Sequence, residues 1–147
     1  LQRLCVYGYI GNMTGLETLL LSVSSKITEL EIHRLYEGSP VMSLTPLSRA
    51  LARRPTLTKL GLRRCHLGRD EARMLCKALR KNLSLQSLNL ICNNLGSAGL
   101  AELAPALYDN TSIEVLDMSW NDLDNIKSAR LRRDNVRCNM TIPTLDL

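Results

Sequence analysis

Residues 85–95 read LQSLNLICNNL, and the same spacing of apolar residues recurs on both sides of them. Residues 57–67 read LTKLGLRRCHL and residues 113–123 read IEVLDMSWNDL, so the three copies start at evenly spaced positions, Leu57, Leu85 and Ile113. Looser copies of the first half of the string begin at Leu1, Ile27 and Ile142. The full copies share the string L-x-x-L-x-L-x-x-N/C-x-L, with Ile or Met at some of the Leu positions. Self-similarity at a fixed period of this length predicts an array of stacked repeats.

Each copy predicts a short β-strand, because its apolar residues alternate and successive strand residues point to opposite faces of a sheet. Leu88 and Leu90 therefore share one face, while Ser87 and Asn89 share the other. A strand this short is not stable alone. Stacking the copies in parallel buries the leucines as a continuous column and leaves the alternate residues on an exposed concave face.

The segments between the strands follow a helical period of apolar residues. Five helices are predicted, at 12–25, 44–54, 69–81, 97–109 and 125–138. In the third, acidic residues lie in the first turn and Arg80 and Lys81 lie in the last, which matches the helix dipole.

Two of these helices carry specific expectations. Pro105 predicts that the helix in 97–109 bends, is shortened or begins later, because proline lacks a backbone N–H and clashes with the preceding turn. The buried side of the first helix is predicted to consist of Leu16, Leu19, Leu20 and Val23.

The repeat string, with its period of about 28 residues and a full helix in each unit, resembles the ribonuclease-inhibitor-like class of leucine-rich repeats. Within that class, residues 75–110 are similar to the repeats of NOD-like immune receptors. The resemblance covers the whole chain and is best over 55–124. It implies an α/β leucine-rich-repeat solenoid, a horseshoe segment with a parallel sheet on the concave face and helices on the convex face. We expect residues 1–147 to form about five repeats of one such segment, cut within a repeat at both ends.

Composition supports a repetitive core and excludes a membrane span. Leucine occurs 30 times in 147 residues, whereas phenylalanine is absent and all aromatic residues make up 3%. No apolar run approaches the roughly 20 residues that cross a bilayer. The five cysteines are odd in number and form no C-x-x-C pair, which favours a reducing cytoplasm over a disulfide framework.

Polar residues at the end of each full string are predicted to be structural. Asn93 and Asn121 lie where the chain leaves the strand, and we expect their amides to be buried and hydrogen-bonded to neighbouring loop backbones. Cys65 occupies the same position in its repeat. Cys76 lies on an apolar helix stripe, where a free thiol behaves as a small hydrophobic group.

Four N-x-S/T sequences begin at Asn12, Asn82, Asn110 and Asn139. They could be read as glycosylation sites. The last three recur at the period of the repeat, which favours one structural position at each helix exit, where Asn tolerates the left-handed backbone that ends a helix.

No pattern of an enzyme or of a bound cofactor is present. His33 and His66 lie in different repeats with no metal-ligand spacing around them, and neither belongs to a recognisable catalytic triad. The sequence Gly96-Ser-Ala-Gly99 is the entry to a helix rather than a phosphate loop. We therefore predict a non-enzymatic domain without cofactor, metal, membrane or small-molecule substrate.

The concave face is the predicted site for a protein partner. Its candidate contact residues are Lys59, Arg63, Arg64, Asn89, Ile91, Val115, Asp117, Ser119 and Trp120. Exposed Trp120, the single tryptophan, beside Ile91 and Val115 has the composition of a binding hot spot. The alternative is that Trp120 folds back over the edge of the repeat as packing.

Two other functions remain open at this point. The net charge is +5, and arginines crowd the predicted helices, so a basic ridge could meet the phosphates of nucleic acid. The candidate phosphate contacts are Arg130, Arg132, Arg133 and Arg137. A structural subunit within a large assembly is a third hypothesis.

Overall fold

A computed structural model describes residues 2–8, 14–22, 26–33, 43–53 and 56–122 of the chain. Strands and helices alternate along this part of the sequence. The strands are β1 (Arg3–Tyr7), β2 (Glu29–His33), β3 (Lys59–Arg63), β4 (Ser87–Asn89) and β5 (Val115–Asp117). The helices are α1 (Thr14–Leu21), α2 (Thr45–Arg53), α3 (Arg69–Leu79) and α4 (Gly96–Asp109).

The strands form one parallel sheet in the order β1-β2-β3-β4-β5. Its register joins Leu4, Leu30, Leu60, Leu88 and Leu116, the equivalent leucines of successive repeats. From β2 to β5 these leucines are at most 1% exposed, as the alternation predicts. The sequence prediction of a leucine-rich-repeat α/β fold with a parallel sheet and intervening helices is confirmed.

Buried asparagines tie each repeat to the preceding one. The amide of Asn93 donates to the carbonyls of Leu62 and Leu90, and its Oδ1 accepts from the backbone N–H groups of Cys65 and Leu67. Asn121 repeats the pattern one unit later, with Nδ2 bonded to the Leu90 carbonyl at 2.8 Å. The predicted structural role of these two side chains is confirmed.

The asparagines at the helix exits also bridge repeats, but not by the backbone conformation that the sequence suggested. Asn110 has φ −79° and ψ 124°, which is extended rather than left-handed. Its Nδ2 donates to the carbonyls of Leu79 and Asn82, while its Oδ1 accepts from the N–H groups of Ser112 and Ile113. Asn82 makes the equivalent bonds and is 1% exposed. The side-chain amide is therefore what this position requires.

Two expectations about the helices are only partly met. Pro105 lies inside α4, which neither ends early nor begins late, and the helix closes with the Asn110 N–H bonded to the Ala106 carbonyl. Pro105 and Ala101 are both exposed, so water can satisfy the carbonyl that proline leaves without a donor. In α1, Leu20 is buried as expected, but Leu19 is 45% exposed.

The remaining parts of the array prediction lie outside the described residues. These are the helix at 125–138, the strand that begins at Ile142, the third helix-exit asparagine, Asn139, and Val23 of the predicted buried side of the first helix.

Part of the basic character of the helices is neutralised between α3 and α4. Arg69 Nε lies 2.8 Å from Glu102 Oε1, and Arg73 Nη2 lies 2.9 Å from the same atom. Hydrogen bonds from Arg73 and then from Arg69 lower the pKa of Glu102 to about 2. Because this folded-state pKa lies below the ordinary value of 4.5, the contact stabilises the fold above about pH 4.5 and is lost as the pH falls towards 2.

We expect Glu102→Gln to lower the thermal unfolding midpoint slightly at neutral pH, since surface ion pairs contribute little each. The variant should also lose less stability than the wild type on acidification from pH 4.5 to 2. Thermal melts followed by circular dichroism across this range measure both effects. Glu114→Gln is the matched control, because Glu114 is exposed and makes no ion pair among the described residues. Parallel acid profiles for Glu102→Gln and the wild type would contradict the prediction.

Candidate functional site

The sheet face opposite the leucine column carries the residues predicted to contact a partner. Because the strands are parallel and in register, equivalent positions form rows across them. The first row is Arg3, Glu29, Lys59, Ser87 and Val115, and the second is Cys5, Glu31, Gly61, Asn89 and Asp117. The third row begins with Tyr7, His33 and Arg63. The face is thus a lattice of side chains from all five described strands.

Ion pairs join the first-row side chains of the first three strands. Glu29 lies between two cations, with Lys59 Nζ at 2.7 Å and Arg3 Nε at 3.7 Å from its carboxylate oxygens. The hydrogen bond from Lys59 lowers the pKa of Glu29. Lys59, a candidate partner contact, is therefore already paired within the sheet.

A second polar cluster covers the second and third rows on β1, β2 and β3. The Glu31 carboxylate lies directly over Gly61, at a place where any side chain on Gly61 would collide with it. His33 Nε2 is 3.5 Å from Glu31 Oε2, and the Tyr7 ring lies against the His33 ring with centroids 5.1 Å apart. Sequence reasoning did not single out Tyr7. The sequence did contain a signal for Tyr7, because it directly follows Val6 and aligns with His33 of the next repeat.

Two of the candidate contacts shape the strand ends. Asn89 Oδ1 accepts the N–H of Ile91 at 3.1 Å, and Asp117 Oδ1 accepts both the N–H and the hydroxyl of Ser119. Side chains of this type stabilise turns by bonding to the backbone two residues on. Asn89 and Asp117 thereby position the residues that follow them.

Beyond the strands, equivalent residues continue the rows in a left-handed conformation. Arg64, Cys92 and Trp120 have φ angles of 53°, 56° and 59°. The Arg64 N–H bonds to the Ile91 carbonyl at 3.2 Å, and the Cys92 N–H bonds to the Ser119 carbonyl at 3.0 Å. We use the name strand-exit surface for the six residues at this edge: Arg63, Arg64, Ile91, Cys92, Ser119 and Trp120.

The strand-exit surface displays the largest exposed side chain of the sheet face. Trp120 is 77% exposed, so the alternative in which it packs back over the repeat is wrong. Arg63 and Arg64 are also exposed, and neither makes an ion pair within the described ranges. Ile91 belongs to the neighbouring repeat and is half-buried.

Val115 does not belong to this patch. It is 44% exposed at the start of β5, and the four residues to Ser119 correspond to about 13 Å of extended chain. Val115 therefore lies at the start of β5, outside the strand-exit surface, and its contact with the same partner as Trp120 stays a prediction.

Other kinds of site have less support. The four arginines proposed to contact phosphate, Arg130, Arg132, Arg133 and Arg137, lie outside the described residues. Among the residues that are described, no group of three His, Cys, Asp or Glu side chains could hold a metal ion. None of the described helices is long and apolar enough to cross a membrane.

Comparison with known proteins supports a leucine-rich-repeat fold. The family described as Leucine Rich repeat matches residues 81–104 and 109–126. The solved structure of leiomodin-1 actin-binding site 2 is similar, with a TM-score of 0.70, 19% sequence identity, and coverage of 90% of this chain and 78% of that one. No curated protein sequence matches. At this identity the structural likeness establishes the fold.

Proposed function

We propose that this leucine-rich-repeat chain is a non-enzymatic recognition domain that binds a protein partner across the exposed face of its sheet. Leucine-rich repeats are interaction modules, and the chain contains no recognisable catalytic pattern. The strand-exit surface is the proposed centre of contact. The remaining sheet residues of the predicted set, Lys59, Asn89, Val115 and Asp117, form its surroundings.

One observation carries the proposal: the single tryptophan is 77% exposed on the same edge as two arginines without ion-pair partners in the described part of the chain. Tryptophan and arginine are the residue types most enriched among binding hot spots. Trp120 also occupies a left-handed backbone position, where a bulky side chain is unfavourable. Arg64 and Cys92 share this conformation, so it belongs to the repeat, whereas exposure of the Trp120 ring adds little to the fold and supports a role in contact.

Truncation of Trp120 tests the proposal. We expect Trp120→Ala to weaken partner binding by about 2 kcal/mol, roughly thirtyfold, without loss of the fold. The parent protein would be affinity-purified, its stoichiometric protein partner identified, and the dissociation constant measured by calorimetry for each variant.

Tyr108→Ala is the matched control, because Tyr108 is an aromatic residue that is 65% exposed on α4, away from the sheet face. Its dissociation constant should equal that of the wild type. Equal affinities for Trp120→Ala and the wild type would remove the sheet face as the binding site.

Finer assignments follow the resemblance to NOD-like receptor repeats. We propose a cytoplasmic parent protein in which these ribonuclease-inhibitor-like repeats sense a ligand or hold the receptor inactive. A structural subunit of a large assembly and a nucleic-acid-contacting domain are the alternatives. Nuclease treatment during purification tests the nucleic-acid alternative, because partners bound through nucleic acid would be released.

Actin is a specific partner to test. The similar solved structure is named as an actin-binding site of leiomodin-1. Cosedimentation of the wild type and Trp120→Ala with actin filaments would decide whether this chain shares that property.

A further inference from the structure

The exposed face of the sheet divides into two parts that differ in charge balance. On β1 and β2, charged side chains already have partners: Glu29 is held between Arg3 and Lys59, and Glu31 contacts His33. On the strand-exit surface, Arg63 and Arg64 point their charge at solvent with no carboxylate within ion-pair distance in the described residues. A partner gains most where cations are exposed and unpaired, because it need not break an existing contact.

We infer that the strand-exit surface binds an extended acidic segment of the partner, with carboxylates on Arg63 and Arg64 and an apolar side chain on Trp120. This inference rests on the proposed protein-binding function and specifies the chemistry of the partner. Arginine guanidinium groups bind carboxylates through paired, charge-assisted hydrogen bonds. The tryptophan ring has a large apolar surface, and an apolar side chain of the partner that packs on it removes that surface from water.

The repeat geometry sets the spacing of the segment. Arg64, Cys92 and Trp120 occupy one backbone position in three consecutive repeats, linked by the hydrogen bonds described above. Neighbouring strands lie about 4.8 Å apart, so the backbones of Arg64 and Trp120 are roughly 10 Å apart. An extended peptide advances about 3.3 Å per residue. Because alternate residues of an extended peptide point to the same side, a segment that crosses the strands places its acidic residue two or four positions from its apolar one.

The acidic residues of the last described repeat fix the register of the segment. Asp117 is half-buried and Asp122 is exposed, and both lie within three residues of Trp120. A carboxylate placed at the β5 end would meet these like charges, whereas at the β3 end it meets two arginines. The acidic residue is thus assigned to β3 and the apolar residue to β5.

Selection from a random peptide library displayed on phage tests this inference on the full chain. We expect the enriched peptides to carry Asp or Glu two or four positions from an apolar residue. Individual enriched peptides should bind Arg63→Ser/Arg64→Ser and Trp120→Ala about tenfold or more weakly than the wild type. The control Arg49→Ser/Arg53→Ser removes two exposed arginines from α2 and should bind them unchanged.

The outcomes separate the two proposals. Loss of binding in Trp120→Ala but not in Arg63→Ser/Arg64→Ser, or enrichment of peptides without acidic residues, would overturn the acidic segment and leave the protein-binding face intact. Peptides that bind both variants as tightly as the wild type would overturn both proposals. A library that yields no enrichment would overturn the inference that a linear segment is bound.

Discussion

Asn93→Ala should destabilise the protein by about 3 kcal/mol or more. The alanine side chain removes the Oδ1 acceptor of the backbone N–H groups of Cys65 and Leu67 and the donor to the Leu62 carbonyl, whereas the Leu90 carbonyl keeps its bond from Asn121. Asn93 is 4% exposed, so water reaches these groups poorly. Each buried polar group without a partner costs on the order of 1–3 kcal/mol, with part of that sum recovered by relaxation. Urea unfolding followed by circular dichroism measures the loss.

Asn94→Ala controls for the loss of an amide at this turn, because Asn94 is exposed and its side chain makes no hydrogen bond among the described residues. It should change stability by less than about 0.5 kcal/mol. Asn93→Cys should fall between the two, since Cys65 occupies the same position one repeat earlier and its Sγ bonds to the Arg63 carbonyl. Equal stabilities of Asn93→Ala and Asn94→Ala would show that the buried amide contributes nothing.

Leu88→Ala should cost about 3 kcal/mol. Leu88 is fully buried in β4, between Leu60 and Leu116 of the adjoining strands. Removing a buried leucine side chain forfeits its transfer free energy and leaves a cavity, with typical losses of about 2–5 kcal/mol. The same unfolding experiment measures the difference.

Leu83→Ala is the matched leucine truncation, five residues earlier in the chain. Leu83 is 70% exposed, so its removal should change the free energy of unfolding by less than about 0.5 kcal/mol. A similar loss of unfolding free energy in Leu88→Ala and Leu83→Ala would mean that the buried leucine column does not hold the repeats together.

The repeat string predicted the strands well because a fixed period leaves little freedom in their register. Aligning Leu60, Leu88 and Leu116 at the constant offset of the repeat already gave the pairing found in the sheet. The burial of Asn93 and Asn121 followed from the same alignment. The leucines determine which residues of each strand face the core, because a one-residue shift in the strand register would expose all of them.

The helices were predicted less accurately because their sequences allow several buried faces. In α1, residues 16 to 21 are mostly leucine, so the apolar pattern could not distinguish buried Leu20 from exposed Leu19. The prediction for Pro105 considered only the low preference of proline for the interior of a helix. Burial of Leu103 and Ala106 against the rest of the repeat, with Pro105 on the exposed side, outweighs that preference.

The site was predicted as a set of residues rather than as contacts. Alternation correctly placed Lys59 and Arg63 on the sheet face, but not the partner of Lys59 in the neighbouring strand, Glu29. Which cation is already paired depends on side-chain reach across two repeats, which the spacing of leucines does not determine.

Among the described elements, the backbone of each strand lies beside the strands of adjacent repeats, and that of each helix lies beside the helices of adjacent repeats. The leucines that pack neighbouring repeats together point inward, whereas the alternate residues of the same strands lie on the opposite face, where we propose that a partner binds. Substitutions can therefore change the outward-facing residues of one repeat while the outward-facing residues of the neighbouring repeats continue to recognise the same part of a partner. Such a chain can change what it recognises in steps of one repeat, without having to evolve a new fold.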